Sequence, residues 1–278
     1  MREISAAKIG KTVKQLFLKA ALCPGEDCLS AIKYAAKTEK SPYGKAILDS
    51  LIKNADTAKE TGMPYCQDTG MAVVFLDIGQ DVHISGDIES AVNSGVAAAY
   101  EEGFFRKSVL DPITRVNTKD NTPAIIHYFI VPGDKIRVTV APKGFGSENM
   151  SVLKMLNPSD GINGIKKLVT ESVLSAGGSP CPPIVLGIGI GGDFEKCALM
   201  AKKQLLRDIG SKNPDSFLAN LEQTLKDDIN ALGLGPMAMG GSNYCLAVHI
   251  DKYPTHIAGL PVAINFQCHA SRHAFEEI

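Results

Sequence analysis

The sequence contains no tryptophan, few aromatic residues and no excess of charge of either sign. Aromatic residues make up 6% of the 278 residues, and 29 Lys and Arg residues stand against 30 Asp and Glu residues. No block of like charges occurs, which argues against a protein that mainly binds nucleic acid or an anionic membrane. No apolar run approaches the roughly 18 residues of a membrane-spanning helix. We therefore expect neither nucleic acid nor membrane as a partner.

The chain also lacks Ser-, Pro- or Gly-rich linkers, low-complexity tracts and internal repeats. Hydrophobic residues are 45% and charged residues 21% of the chain, which is close to ordinary globular usage and argues against disorder. We therefore expect one domain over residues 1–278. Residues 1–22 scatter their charges among apolar residues at helical spacing, a pattern that is not typical of a signal peptide.

Helical and strand patterns intermix along the chain, which predicts an α/β fold with mixed sheets surrounded by helices. Residues 3–61 show helical spacing, and Asp87 is placed to cap a later helix. Segment 71–79 indicates a buried strand. Segments 123–131 and 135–143 alternate apolar and polar residues on either side of a Pro-Gly-Asp turn, which predicts a β-hairpin. The other predicted elements are helices at 162–173, 194–208 and 214–231 and strands at 184–190, 245–250 and 260–266.

The seven cysteines are an odd number spread along the chain, which favours reduced thiols in a cytoplasm over a disulfide scaffold. Three of them lie in probable loops, in the segments GMPYCQDTG (Cys66), GGSPCPP (Cys181) and NFQCHASRH (Cys268). Structural cysteines are more often small apolar residues within an element. The cysteines for which we expect such a structural role are Cys23, Cys197 and Cys245.

The wide spacing of the three loop cysteines matches no zinc-finger or ferredoxin pattern. By residue type they could hold a zinc ion with a further ligand, or an iron–sulfur cluster in which one iron has no protein thiolate. Gln67, Asp68 and Thr69 place an amide, a carboxylate and a hydroxyl next to the first of these cysteines. An Asp in such a turn more often makes an Asx turn than a catalytic contact.

Positive charge follows the last loop cysteine. His269, Arg272 and His273 lie within five residues of Cys268, although the two histidines also have the spacing of a solvated first helical turn. Arg106 lies near the end of a predicted helix. Most such arginines are surface residues, but a guanidinium can also bind a carboxylate through two parallel hydrogen bonds.

Two Gly-rich segments could contact an anion. Gly187, Gly189 and Gly192 satisfy the dinucleotide-binding spacing between a predicted strand and a predicted helix. The acidic residue expected about 20 positions later is only loosely matched by Asp208. A turn that lets the helix pack closely on the strand explains the same pattern. Segment 143–151, KGFGSENMS, offers successive backbone N–H groups to an anion.

Four segments taken together are recognisable. PYCQDTG, KGFGSENMSVLKMLNPSDG, CPPIVLGIGIGG and PTHIAGLPVAINFQCHASRHA closely resemble the class I fumarate hydratase/tartrate dehydratase family of iron–sulfur hydro-lyases. The resemblance spans nearly the whole chain, with the motifs in the family order. The length is similar to that of the α subunit of the two-subunit form, and nothing corresponds to the swivelling β domain.

The resemblance implies a role for individual residues. Three cysteines would be the ligands of a [4Fe–4S] cluster, namely Cys66, Cys181 and Cys268. Asp68 would be the acid that protonates the departing hydroxyl, and Arg106 would bind a substrate carboxylate. The full set of implied substrate contacts is Gln67, Asp68, Arg106, Gly144, Gly146 and His256.

The sequence departs from the family pattern in two places. Phe145 occupies the middle of a turn that is usually three glycines. The family's GG-x-T-T stretch reads GGSNYC at 240–245, with Asn243 and Tyr244 in place of the two hydroxyl residues. Both departures leave the cluster ligands intact and put the identity of the substrate in doubt.

The implied reaction is reversible hydration of fumarate to L-malate, with the cluster as a Lewis acid. Dehydration of L-tartrate and hydration of a substituted fumarate are alternatives that use the same chemistry. The implied partners are a small dicarboxylate substrate and a β subunit in an α2β2 assembly, with the catalytic base on the β subunit. A dinucleotide-binding oxidoreductase and a non-catalytic scaffold subunit are alternatives from other classes. A visible iron–sulfur absorbance distinguishes the hydro-lyase from the oxidoreductase.

Overall fold

Apolar residues at helical and strand spacing form the cores of two units in the computed structural model, which describes residues 2–278. Each unit contains helices and a four-stranded sheet of mixed strand direction, so the predicted α/β class is confirmed. None of the described helices is both long and apolar enough to cross a lipid bilayer. Unit 1 comprises residues 2–25, 55–145 and 272–278, and unit 2 comprises residues 26–54 and 146–271.

Most of the predicted elements are present, with shifted ends. The helix predicted at 194–208 ends earlier, at Gln204. The helices are α1 (Ala6–Leu22), α2 (Glu26–Thr38), α3 (Pro42–Thr61), α4 (Ile88–Glu102), α5 (Phe145–Glu148), α6 (Gly161–Ala176), α7 (Phe194–Gln204) and α8 (Ser216–Ala231). The strands are β1 (Arg2–Ser5), β2 (Met71–Gly79), β3 (Val82–Ser85), β4 (Ile125–Val131), β5 (Ile136–Lys143), β6 (Val152–Leu156), β7 (Ile184–Gly191), β8 (Cys245–Tyr253), β9 (Leu260–Gln267) and β10 (Ala274–Glu277).

Unit 1 is built around β2, whose first six residues are all apolar. The sheet order is β10-β5-β2-β4, with β4 parallel and β5 antiparallel to β2. The predicted hairpin of β4 with β5 is therefore wrong, because β2 lies between them. A strand that is apolar on both faces is typical of the centre of a sheet. Helices α1 and α4 pack on each other and complete this core.

The two ends of the described chain form short strands in unit 1, and at the N-terminal end the sequence predicts a helix from residue 3 instead. β1 pairs in parallel with β3, and α1 begins only after Ser5, whose hydroxyl accepts a hydrogen bond from the N–H of Lys8 at 3.3 Å. β10 pairs antiparallel with β5, and residues 268–273 before it are not helical, so the alternative of a solvated helical turn at His269 and His273 does not hold. Both strands have four residues, too few for periodicity to identify them.

Unit 2 has the sheet order β6-β9-β7-β8, and α7 packs on β7. A Cβ atom at Gly187 or Gly189 would lie 2.1 Å from a backbone carbonyl oxygen of α7. Close packing of helix on strand therefore accounts for these glycines without a dinucleotide. The carboxylate of Asp193 caps the N-terminus of α7, where a dinucleotide would need to place its phosphates.

Candidate functional site

The cysteines divide into buried and more accessible thiols. All seven are reduced. Burial raises the pKa of Cys197, and it raises the pKa of Cys245 to about 12, so both remain protonated at neutral pH. The expectation for Cys23 is wrong, since it is half-buried at the C-terminal cap of α1, whereas Cys28 is buried within α2. The candidate ligands are more accessible: Cys66 and Cys268 are half-buried and Cys181 is exposed.

In unit 1, the turn that follows Cys66 holds the carboxylate of Asp68 at both oxygens. The Gly70 N–H donates to Oδ1 at 3.0 Å, which is the Asx turn anticipated for this residue. The Phe145 N–H donates to Oδ2 at 2.9 Å. A Cβ atom at Gly144 would lie 3.1 Å from Oδ2, so the backbone of the Gly-rich turn lies directly against the carboxylate. The side chain of Gln67 is exposed.

A buried tyrosine and a buried asparagine bind the backbone carbonyls of the same turn. The Tyr100 hydroxyl lies 2.8 Å from the carbonyl oxygens of both Thr69 and Gly70, and burial raises the pKa of Tyr100 well above its usual value. Asn121 donates to the carbonyl of Gly70 at 3.2 Å. The Thr69 hydroxyl donates to the carbonyl of Arg106 at 2.8 Å, while the Arg106 side chain is exposed. The structure therefore joins the backbone at Arg106 to the Asp68 turn.

Two buried cations lie beside this turn, and neither is among the substrate contacts that the family resemblance implies. Arg272 is 2% exposed and donates from Nη2 to the backbone carbonyl of Asp68 at 2.7 Å. Its Nε and Nη1 have no hydrogen-bond partner among the described residues. Lys143 is also buried, with Nζ 3.3 Å from the carbonyl of Gly144. The available signals were the sequences SRH and PKG, which place a cation beside a cysteine loop and a Gly-rich turn.

Two of the candidate ligands are joined by the backbone of unit 2. Cys181 lies just before β7 and Cys268 just after β9, at the same end of this antiparallel pair. The ring Nδ1 of His269 lies 2.9 Å from the carbonyl oxygen of Cys181. Cys181 has φ +54°, a backbone conformation that residues other than glycine rarely adopt and that is frequent at functional sites.

Gly146 lies at the same end of unit 2. A Cβ atom at this position would lie 3.5 Å from the carbonyl oxygen of Ser179, in the loop that carries Cys181. Glu148 is bound by Lys202 and by the amide of Asn265. Its carboxylate therefore anchors the segment after the Gly-rich turn to α7 and β9. Within unit 1, the ring of Phe145 is 46% exposed.

His256 is not brought to these cysteines within unit 2. It lies on an exposed turn between β8 and β9, with Nδ1 accepting from the Ala258 N–H at 3.2 Å. The eight residues of β9 separate this turn from Cys268, a length of roughly 25 Å at ~3.3 Å per residue. Among residues 2–278, no group of three or more His, Cys, Asp or Glu side chains is arranged to hold a metal ion.

Comparison with known proteins identifies the family. The family model described as fumarate hydratase (Fumerase) matches residues 10–277, nearly the whole chain. The chain belongs to the fumarate hydratase family. The resemblance read from its four motifs is thereby confirmed, and with it the classification of the chain as a hydro-lyase enzyme.

Curated members of the fumarate hydratase family include close relatives of this chain. A protein of Methanocaldococcus jannaschii named "Putative L(+)-tartrate dehydratase subunit alpha" is 45% identical over 278 residues, covering 98% of each chain. The "L(+)-tartrate dehydratase subunit alpha" of Escherichia coli strain UTI89 is 31% identical over 251 residues, covering 89% of this chain and 83% of the relative. The protein of the same name from strain K12 is 30% identical over the same length.

Proposed function

We propose that this chain is the α subunit of a two-subunit hydro-lyase that reversibly hydrates fumarate to L-malate, with residues 1–278 as one catalytic domain. The observation that carries the proposal is the arrangement of Asp68 and Arg272 in unit 1. A carboxylate held by two backbone N–H groups lies on a turn that also receives a buried guanidinium with two unused donors. Buried donors without acceptors are costly, and a carboxylate of a dicarboxylate substrate would supply the missing acceptors.

The donor chemistry fits a [4Fe–4S] cluster held by Cys66, Cys181 and Cys268. All three are reduced thiols outside the regular elements, whereas the cysteines with a pKa raised by burial lie within α7 and β8. Thiolates are the protein ligands of such clusters. When bound, the cluster supplies Lewis acidity from the iron that has no protein thiolate.

The residues of unit 1 would orient the substrate and move one proton. Arg272 and Arg106 would bind carboxylate oxygens, since guanidinium groups offer paired donors to carboxylates. Gly144 leaves room for the substrate beside Asp68, because any side chain there would press on Oδ2. In the dehydration direction Asp68 would give its proton to the hydroxyl oxygen that leaves. Gln67, exposed next to Asp68, would donate an amide hydrogen bond to the substrate.

The other members of the assembly are also part of the proposal. The relatives are named as α subunits, which supports a β subunit that carries the swivelling domain. The residue that takes the proton from carbon would come from that subunit. This chain alone would then be nearly inactive, and the working enzyme would be a cytoplasmic α2β2 assembly.

In an assembly with two α chains, Gly146 and His256 of one chain would belong to different substrate sites. Gly146 lies beside the Cys181 loop of its own chain and would leave space for the substrate there. His256 lies roughly 25 Å along β9 from Cys268, beyond the reach of an imidazole. If His256 contacts a substrate, it would do so at the site of the second α chain.

L(+)-tartrate is the second candidate substrate, favoured by the names of the relatives. L-malate, the hydrated form of fumarate, and L(+)-tartrate differ by one hydroxyl group, which has to be bound by a donor or acceptor in the site. Phe145 lies directly before Gly146, and its backbone N–H already binds Asp68. A substituted fumarate would need more space at this same position.

The test is anaerobic. The chain is produced with its candidate β subunit and reconstituted with iron and sulfide. The loss of fumarate is followed by its ultraviolet absorbance, with L(+)-tartrate assayed in parallel. We expect a brown complex that consumes fumarate, no activity in Cys66→Ser, and full activity in the matched control Cys23→Ser.

Each other outcome is informative. A brown complex that acts only on tartrate would change the substrate and leave the chemistry in place. A Cys66→Ser complex with the full cluster content and activity would remove Cys66 from the ligand set. A colourless complex, inert on both acids after reconstitution, would overturn the proposal.

A further inference from the structure

The segment 240–245, in which the sequence departs from the family pattern, is part of the structural support of the Cys181 loop in unit 2. Tyr244 is fully buried, and its hydroxyl donates to the carbonyl of Gly177 at 2.6 Å. Burial raises the pKa of Tyr244 well above its usual value, so the hydroxyl keeps the proton that it donates. Gly177 begins the loop 177–183, which contains Cys181 and leads into β7.

Met237, a few residues before this segment, contacts the other end of the loop. The N–H of Met237 donates to the carbonyl of Pro182 at 3.0 Å. A Cβ atom at Gly178 would lie 3.2 Å from the carbonyl oxygen of Met237, so the two backbones are in close contact. With the Tyr244 hydroxyl at Gly177, the segment 236–244 holds the loop on both sides of Cys181.

A single carboxylate anchors this segment. Glu39, directly after α2, accepts hydrogen bonds from the backbone N–H groups of Ser242 and Asn243 and from both of their side chains. It also accepts from the N–H groups of Lys40 and Ser41. Burial raises the pKa of Glu39, but these hydrogen bonds outweigh it and lower the pKa to about 2. The side chain of Asn243, one of the two departures, is thus used to bind Glu39.

We propose that Tyr244 and Glu39 are positioning residues for Cys181, acting through the segment 236–244 as a brace on the loop 177–183. This inference rests on the proposed function, in which Cys181 is a cluster ligand. Both hydrogen bonds from the brace to the loop end on backbone carbonyls of the loop, which fixes the path of the chain on either side of the thiol. The departures at Asn243 and Tyr244 then have a structural purpose and do not select the substrate.

The direct test is the alkylation rate of Cys181 in the cluster-free full-length chain, measured by iodoacetamide labelling and peptide mass spectrometry. Tyr244→Phe removes only the hydroxyl, and Tyr253→Phe, at an exposed position, is the matched control. We expect the Cys181 rate to change about fivefold in Tyr244→Phe, the size of one net hydrogen bond. The rates at Cys268 and at buried Cys197 should stay unchanged, whereas general destabilisation would raise the rate at Cys197 as well.

The second measurement uses the reconstituted complex with the β subunit. The visible cluster absorbance should decay several-fold faster in air in Tyr244→Phe and Glu39→Gln than in Tyr253→Phe, with a changed electron paramagnetic resonance signal of the reduced cluster. Unchanged Cys181 labelling and unchanged cluster decay in both brace variants would overturn the inference. If no cluster forms in the unmodified complex, the proposed function fails, while the labelling experiment still decides whether the brace acts on Cys181.

Discussion

The Asp68 turn of unit 1 and the Cys181 loop of unit 2 are held in different ways. In unit 1 the functional side chain itself is fixed, because both carboxylate oxygens of Asp68 accept backbone N–H groups. In unit 2 the contacts from Tyr244, Met237 and His269 all end on backbone carbonyl groups of the loop. Hydrogen bonds to backbone carbonyls support both, but the first turn also receives one from a buried charged group, Arg272.

This difference matches two chemical tasks. A group that moves a proton has to keep its oxygen atoms at a defined position and angle to the reacting atom. A metal ligand also needs its main chain fixed, while its own donor atom is positioned by the metal that it binds. We therefore interpret the unit 1 turn as proton-transfer and substrate machinery, and the unit 2 loop as ligand machinery. Three pairs of substitutions test this division.

The largest effect is expected for a ligand thiol compared with a buried one. Cys181→Ser should abolish the cluster absorbance and lower turnover by about 10⁴-fold or more, since a catalytic metal is worth several kcal/mol or more of transition-state stabilisation. Cys197→Ser should keep the cluster and lower the free energy of unfolding by about 1–2 kcal/mol, because it buries a more polar group. Iron analysis and thermal unfolding of both variants check this pair. Equal iron content in the two variants would contradict the division.

The next effect belongs to the carboxylate. Asp68→Asn keeps the acceptor oxygen for one N–H group but loses the proton that it would transfer, so turnover should fall about 10³-fold while iron content stays constant. Asp87→Asn is the matched control, because Asp87 only caps α4. Turnover and iron are measured on the assembled complex. Retained turnover in Asp68→Asn would remove this residue from the mechanism.

Much of the fold and of the candidate site could be predicted from the sequence, and the features that could not be predicted have identifiable physical causes. Loop cysteines next to Pro, Gln and Asp are visible as a local pattern, and the apolar run of β2 identifies a buried strand. Arg272 and Lys143 were missed because their burial depends on residues far away in sequence. The position of β2 between β4 and β5 is equally non-local, because the alternation of apolar and polar residues along a strand does not specify which strand lies beside it. The hydrogen bond from the Tyr244 hydroxyl to Gly177 is non-local as well, and the sequence alone shows only a departure from the family pattern at this position.

A smaller effect compares buried Arg272 with half-buried Arg207. Arg272→Met should lower kcat/KM for the dicarboxylate about 100-fold, since charge-assisted hydrogen bonds are worth up to ~3 kcal/mol, with little loss of stability. Arg207→Met should have the opposite result, because it leaves the buried carboxylate of Glu222 without its salt bridge at 2.6 Å. The expected loss is about 2 kcal/mol of unfolding free energy, with kcat/KM nearly unchanged. Kinetics and denaturant unfolding on the same preparations check both, and a stability loss in Arg272→Met without a kinetic one would assign Arg272 to the fold alone.

The smallest expected signal is the activity restored by mixing two inactive variants. It decides whether His256 acts at the substrate site of its own chain or at that of a second α chain. Two inactive α variants, Cys181→Ser and His256→Asn, are produced together with the β subunit and compared with each variant alone. If His256 acts at the site of the second α chain, each mixed pair contains one intact site. Random pairing in an assembly with two-fold symmetry then restores about a quarter of the unmodified activity. If His256 acted within its own chain, every site would carry one of the two changes and no activity would return. The strand β9 between His256 and Cys268 favours the first outcome, because its length is roughly 25 Å and its hydrogen bonds to β6 and β7 keep it extended.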